Sequence, residues 1–380
     1  MPAVFIEASS RFLTPFGDPA GEAPILQRPL RAWLADALEA AGLTCLPVPE
    51  PPCLILPDNV FITASAIRAF LDGAAGRDAT LVLGKSVFGK TLSPLQPNVI
   101  ETSEGWRFSK IRWVSGKGSE PVDVVVDPEE KLRDVGVPAA FLKEGEVIQL
   151  GLPLRAVAEV HHWSHLLMLN HLARAIELRQ VPKLHHLPRV LSALLRARSL
   201  NRWKLLGKLN RIGPGCDIHP TAVVEGSTLA RGVRIGPHAR VFFSNLGEGA
   251  EVMSHGAAEF TTLGAGAVVA QNAIVRLSLL YPEAVAGQST MQKCVLGRRA
   301  VAATGSYCFD LNLDREIRVE IDGRLESCGS RFLGVAMGHG AFLGCGVHVA
   351  SGREIPNKRR VLLDSAQVVS RVDPLPGDDA

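Results

Sequence analysis

The sequence predicts an α/β domain followed by a parallel β-helix of six-residue repeats. The chain has 380 residues, more than one ordinary hydrophobic core holds, so we expect more than one packed unit. Its 36 glycines are unevenly spread, since 21 of them lie between Gly213 and Gly352. Before that stretch, short apolar segments alternate with helical ones, as they do in α/β domains.

The composition is that of a folded protein, with 47% hydrophobic and 21% charged residues. A net charge of +3 does not favour a nucleic-acid partner. The seven cysteines form no C-x-x-C pair and fit neither a disulfide framework nor a zinc site. We find no secretion signal and no apolar stretch of about 18 residues. These observations predict a cytoplasmic protein that does not bind nucleic acid.

The first segment, residues 1–155, contains one well-marked helix and several buried strands. The helix is predicted over Leu30–Ala41, because Pro29 precedes it and Gly42 ends it. Short apolar runs bounded by Pro, Gly or Asp predict the strands Cys53–Leu56, Thr80–Leu83 and Val122–Val126.

Residues 156–211 are predicted to be a helical connector, with helices over Trp163–Leu178 and Pro188–Leu206. Nine Lys or Arg residues and no acidic residue lie between Arg179 and Arg211. Such a segment fits the polar face of a linker between domains. It also fits peripheral contact with an anionic membrane surface.

From residue 212 to 360 an apolar residue recurs about every six positions, followed by a small residue and a turn. The apolar residue points into a prism and the small residue turns its corner. Ile218 recurs as Ile235, and Leu246 recurs as Leu263, at a spacing close to one coil of three repeats. Residues 361–380 are predicted to be a C-terminal tail.

Four segments carry a resemblance to a known family: Pro24–Gly42, Cys53–Leu71, Leu263–Asn272 and Asp322–Ile355. Together they resemble the two-domain sugar-1-phosphate nucleotidylyltransferase/N-acetyltransferase family of the archaeal type. The resemblance implies a left-handed β-helix and a homotrimer. It also implies acyl-CoA as co-substrate and a small-molecule sugar as acceptor.

The N-terminal domain departs from that family. The family opens with a loop of the type G-x-G-T-R, whereas this chain has FIEASSRFLTPFGDPAGEAP. We therefore expect a reduced nucleotidyltransferase-like domain. Asp58 and Asn170 match the family's metal-side positions, and their oxygen atoms suit Mg²⁺. The alternative is that Asp58 and Asn59 form an ordinary turn.

Acyl transfer to an amine needs a base for the proton and a donor for the oxyanion. By resemblance, His255 is the candidate base and Asn272 the candidate orienting residue. His255 could instead be a corner or interface histidine. A second alignment, anchored on Tyr281, places Ser278 at the base position, which would mean that the base is lost.

Two segments break the six-residue rhythm, Leu277–Cys294 and Cys308–Gly329. Interruptions of a solenoid map to loops and often to its binding face. The candidate substrate or acyl-donor contacts in and near them are Tyr281, Gln292, Arg298 and Asp310.

The sequence favours an acyltransferase that moves an acyl group from acyl-CoA to an amino sugar or nucleotide sugar. Two alternatives remain open. One is a non-catalytic scaffold or sugar-nucleotide-binding protein, and the other is a sugar-1-phosphate nucleotidylyltransferase.

Overall fold

The computed structural model describes residues 2–136, 142, 147–180, 188, 191–192 and 194–368. Over these residues the chain forms an α/β domain followed by a left-handed parallel β-helix, which confirms the predicted fold class. The last twelve residues of the predicted tail and most of residues 181–193 lie outside the described residues.

The α/β domain is built on a mixed seven-stranded sheet. Its order is Val122–Val126, Ala79–Gly84, Gly105–Val114, Cys53–Pro57, Ala3–Glu7 and Thr44–Leu46, with Val99–Glu101 paired to Gly105–Val114. Four two-stranded pairs complete the domain: Phe12–Leu13 with Asp18–Pro19, Pro24–Ile25 with Arg28–Pro29, Val60–Ile62 with Val157–Glu159, and Lys131–Asp134 with Gln149–Leu152.

The helices of this domain each bury one side in its core. They are Leu30–Ala41, Ala64–Ala74, Val87–Leu92 and Trp163–Gln180, with a short 3₁₀ turn at Ala20–Glu22. The first begins and ends as predicted, because Gly42 takes a left-handed conformation that stops it. Each of the three predicted strands is present, two of them slightly longer than predicted.

The β-helix has three faces. Face A consists of Arg211–Ile212, Thr228–Leu229, Asn245–Leu246, Thr262–Leu263, Leu279–Leu280, Val295–Leu296, Ala336–Met337 and Glu354–Ile355. Face B consists of Asp217–Ile218, Arg234–Ile235, Glu251–Val252, Val268–Val269, Val285–Ala286, Val301–Ala302, Phe342–Leu343 and Arg360–Val361. Face C consists of Val223–Glu225, Arg240–Phe242, Ala257–Glu259, Ile274–Arg276 and Thr290–Gln292.

The prism interior explains the repeat. On face C the central residue of each strand points inward, and Val241, Ala258, Val275 and Met291 are fully buried above one another. At the corner between faces C and A, each coil has a Ser or Thr whose hydroxyl oxygen accepts a hydrogen bond from the backbone N–H of the equivalent residue in the next coil. This ladder, which satisfies buried polar groups, is formed by Ser227, Ser244, Thr261 and Ser278.

One of the two predicted interruptions of the β-helix is not present in the structure. Leu277–Cys294 is a regular coil, with strands on all three faces and one residue fewer than its neighbours. Deleting one corner residue broke the sequence rhythm without breaking the fold. Cys308–Gly329 does leave the solenoid, and it contains a hairpin of Arg318–Ile321 with Arg324–Ser327.

The α/β domain packs against face A. Leu279, Val295 and Ala336 on that face belong to the same buried cluster as Trp163 and the domain's other core residues. Helix Trp163–Gln180, predicted as part of the connector, therefore contributes its buried side to this core. The boundaries at residues 155, 211 and 360 stay predictions.

The second connector helix is not continuous as predicted. Arg198 has a left-handed backbone, and a new helix, Arg202–Lys208, starts after Asn201. The Asn201 side chain accepts the backbone N–H of Trp203, which is the hydrogen bond of an N-terminal cap. Local capping therefore overrides the apolar periodicity that had predicted one helix.

Candidate active site

A cavity of about 440 Å³ lies beside the last strand of face C. It forms where Thr290–Gln292 meets the segment that leaves the solenoid after Tyr307–Cys308. Aromatic and aliphatic side chains make most of its wall: Tyr307, Phe309, Leu311, Leu313 and Phe332.

Two predicted site residues meet at this cavity. The Gln292 side-chain amide donates a hydrogen bond of 2.7 Å to an Asp310 carboxylate oxygen. Burial raises the pKa of Asp310, and the bond from Gln292 and the charge of Lys293 only partly offset that effect. A carboxyl group held by an amide among aromatic rings is suited to orienting a polar ligand.

Lys293, the residue after Gln292, contacts another residue of the cavity wall. Its ammonium donates to the Phe332 carbonyl oxygen at 3.2 Å and lies 5.6 Å from the centre of the Phe332 ring. Burial lowers the pKa of Lys293, and the nearby negative charge of Asp310 opposes that effect. Lys293 therefore holds Phe332, which is part of the cavity wall, in place.

His255 and Asn272 occupy the same corner, between faces B and C. Both have left-handed backbones and exposed side chains, and they follow His238 at intervals of one coil. The rings of His238 and His255 are 5.1 Å apart. No described residue forms a hydrogen bond with the His255 ring.

The corner histidine and the cavity share face C. Ala257, two residues after His255, is in register with Ile274 and then with Thr290, which lines the cavity. Adjacent strands of a sheet lie about 4.8 Å apart, so Ala257 and Thr290, which are two strands apart, are separated by about 10 Å. A ligand bound in the cavity can therefore extend to His255 along one surface.

Tyr281 and Arg298 lie at a different corner, between faces A and B, under the N-terminal segment. Tyr281 is buried against the ring of Phe16. Arg298 pairs with Asp18 at 3.2 Å, and its guanidinium lies 5.6 Å from the Tyr281 ring. The structure thus separates these two predicted residues from the cavity.

His339, which sequence reasoning missed, completes this second cluster. Its Nδ1 accepts the backbone N–H of Arg298 at 2.8 Å, so in the neutral ring Nε2 carries the proton and donates to Asp18. Burial alone would raise the pKa of Asp18, but His339 and Arg298 hold it below its usual value. Burial, with the Asp18 charge, raises the pKa of Tyr281.

The predicted metal residues are engaged in structural hydrogen bonds. Asp58 accepts the backbone N–H of Ser9 at 3.0 Å. The Asn170 side chain accepts from Leu26 N–H and donates to the Pro24 carbonyl oxygen. The described residues contain no group of three or more His, Cys, Asp or Glu placed to hold a metal ion, and nothing in them supports a Mg²⁺ site.

Ser278, the alternative occupant of the base position, is fully buried in the hydroxyl ladder. Its hydroxyl donates to the Arg276 carbonyl oxygen and accepts the Cys294 N–H. Of the two positions, His255 is the one that faces solvent.

No family model matches the chain, and no curated protein matches it significantly. Among solved structures, a putative acetyltransferase of Bacillus cereus is 12% identical over 40% of this chain and 74% of its own, with a TM-score of 0.23. A GDP-perosamine N-acetyltransferase variant of Caulobacter crescentus, solved with CoA and GDP-perosamine, is 19% identical over 40% of this chain and 52% of its own, with a TM-score of 0.15.

Among the described residues, no helix is both long and apolar enough to cross a membrane.

Proposed function

We propose that this chain transfers an acyl group from acyl-CoA to the amino group of a nucleotide-linked amino sugar. The observation that supports it best is the aromatic cavity holding the Gln292 and Asp310 pair, on the same face of the β-helix as the exposed His255. The resemblance described above points to the same chemistry.

The cavity suits a flat, partly polar group such as a nucleobase. Tyr307, Phe309 and Phe332 offer ring faces for stacking. Gln292 and Asp310 offer hydrogen bonds to the edge of a base or to a hydroxyl group. With the base held there, the sugar lies along face C and its amine reaches the corner about 10 Å away.

In the proposed reaction the amine nitrogen attacks the thioester carbonyl carbon, and His255 accepts the proton that the amine loses. The carbon–sulfur bond then breaks, and the CoA sulfur leaves with that proton. Asn272, one coil further along the same corner, donates a hydrogen bond to the carbonyl oxygen as negative charge develops there. Tyr281 and Arg298 have no role in the proposed reaction.

The test is an assay of acetyl-CoA with free amino sugars, their phosphates and nucleotide-linked amino sugars, followed by mass spectrometry of the product and titration of released thiol. We expect His255→Gln to lower kcat by about 100-fold or more, since that is the scale of general-base catalysis. Asp310→Asn should mainly raise KM for the nucleotide-linked acceptor.

His219→Gln is the matched control, because His219 is an exposed histidine of the same β-helix. Transfer that is undiminished in His255→Gln would remove His255 as the base. No transfer to any acceptor would count against an enzyme and favour the scaffold or binding protein. Equal KM values for free and nucleotide-linked amino sugars would contradict the assignment of the cavity to a base.

A further inference from the structure

A cluster of exposed aromatic rings lies at the corner between faces C and A. Phe243 and Phe260 stack with their planes 4° apart and their centres 5.7 Å apart, and each is nearly half exposed. Phe242 packs edge-on against both. Trp203, on the connector helix Arg202–Lys208, reaches Phe242 at 6.3 Å and is 43% exposed.

Two further exposed leucines lie in the connector segment that precedes Trp203 in the sequence. Leu195 is 69% exposed and Leu200 is 86% exposed. A cluster of exposed apolar side chains, rather than a single exposed residue, marks an interaction site. We call these five residues the apolar surface: Leu195, Leu200, Trp203, Phe243 and Phe260.

Cations are interspersed in sequence with the connector residues of the apolar surface. Five exposed basic residues of the connector alternate with its apolar residues, and none of them forms an ion pair with a described carboxylate: Arg196, Arg198, Arg202, Lys204 and Lys208. The Arg202 guanidinium lies 4.3 Å from the centre of the Trp203 ring. The nearby Glu259 is already paired with Arg240 and Arg276.

We propose that this surface binds an anionic lipid bilayer. Leucine and aromatic side chains would enter the boundary between headgroups and acyl chains, and the cations would meet lipid phosphates. Charge complementarity favours a bilayer over a two-fold dimer of this chain, because a two-fold contact would bring the same cations of two copies together. The alternation of basic with apolar residues favours it over a purely polyanionic partner.

The surface also lies apart from the proposed acyl-transfer site. Phe243 and Phe260 are at the corner between faces C and A, whereas His255 and Asn272 are at the corner between faces B and C. The apolar surface therefore includes none of the residues assigned to acyl transfer. Lipid binding does not depend on the proposed enzymatic activity, so the two can fail separately.

The experiment is flotation of the full-length chain with phosphatidylcholine vesicles, with or without phosphatidylglycerol as an anionic component. We expect binding to the anionic vesicles only, weakened by added salt. Each cation near an anionic surface contributes about fivefold in partitioning. Arg202→Gln combined with Lys204→Gln should therefore lower binding about 25-fold.

The matched control removes two exposed arginines at the corner between faces A and B, Arg231→Gln with Arg299→Gln. These arginines pair with Glu248 and Glu283, and the net charge changes by the same amount. The control variant should bind like the unaltered chain. An equal loss in both variants would overturn the proposal, because it would mean that net charge alone drives binding.

Tryptophan fluorescence gives a second readout of the same surface. Trp203 is the exposed member of the chain's five tryptophans. Anionic vesicles should shift its emission to the blue, and Trp203→Phe should remove the shift while retaining binding. The lipid assignment is overturned by absence of flotation, by equal binding to neutral vesicles, or by a shift that persists in Trp203→Phe.

A second copy as the occupant gives a different result. In that case Phe243→Ser with Phe260→Ser would dissociate an oligomer in sedimentation velocity and leave vesicle binding unchanged. That outcome would also overturn the proposal. If lipid is the occupant, the same variant loses vesicle binding and keeps its oligomeric state.

Discussion

At the scale of single residues, Asp18 connects the α/β domain to the β-helix. The Asp18 carboxylate accepts hydrogen bonds from Arg298 and from His339, and the residue as a whole is only 8% exposed. Asp18→Asn removes the charge and turns an amide N–H₂ group toward those donors. We expect the free energy of unfolding to fall by about 1–3 kcal/mol, the usual range for a lost charged hydrogen bond or an unsatisfied polar group.

Urea denaturation of both proteins measures this difference. The folded pKa of Asp18 lies below its unfolded value, so its stabilisation is present above about pH 4 and is lost as the pH falls through the folded pKa. The two denaturation curves should therefore converge in acid. Asp36→Asn is the control, since Asp36 forms an exposed ion pair with Arg28 and should change stability little.

At the scale of structural elements, the β-helix uses glycine for two different reasons, a close approach of two coils and a left-handed backbone. At Gly264 a Cβ would lie 2.5 Å from the Pro282 nitrogen, in the backbone of the next coil. At Gly249 the backbone is left-handed and nothing lies within 4 Å of the Cβ position. Asn272 has the same left-handed backbone, and asparagine tolerates it better than most residues.

The same substitution should therefore have different effects at the two sites. Gly264→Asn forces two coils apart and should lower the free energy of unfolding by about 1–3 kcal/mol. Gly249→Asn should cost less than about 1 kcal/mol. Thermal unfolding followed by circular dichroism compares them. A larger loss at Gly249 would mean that backbone conformation, rather than coil spacing, limits the corner.

The six-residue repeat made the β-helix predictable, because in every coil an apolar residue points inward and a small residue turns the corner. Inward residues such as Val241 and Val275 recur two coils apart, and corner residues follow from the same count. Leu277–Cys294 was misread because a coil that is one residue shorter still closes. The six-residue pattern alone does not show that a coil with one residue fewer can close.

Contacts across long sequence distances were not predictable in the same way. Tyr281 and Arg298 could be placed at one corner because each closely follows a strand of face A, but their position beneath Phe16 and Asp18 could not be foreseen. Gln292 and Asp310 do meet, because Asp310 lies just after Tyr307–Cys308, which is in the coil next to Thr290–Gln292. Nothing in the chain's local pattern shows which surface of a β-helix another domain will cover.

At the scale of the whole molecule, a buried histidine should make stability depend on pH. His165 is 3% exposed; its Nδ1 accepts the backbone N–H of His161, and its Nε2 donates to the Pro94 carbonyl oxygen. The bond accepted by Nδ1 requires the neutral ring. Burial lowers the pKa of His165 to about 3, against an ordinary value near 6.5.

Below about pH 6.5 the unfolded chain therefore binds a proton that the folded chain does not. Folding stability should fall by about 1.5 kcal/mol between pH 6.5 and 5 from His165 alone, a window above the range in which most carboxyl groups titrate. Denaturation at a series of pH values measures the slope. His165→Gln should reduce the slope even if it lowers stability overall, whereas the exposed His219→Gln should leave it unchanged. A slope that is the same in all three proteins would show that His165 takes up its proton without unfolding.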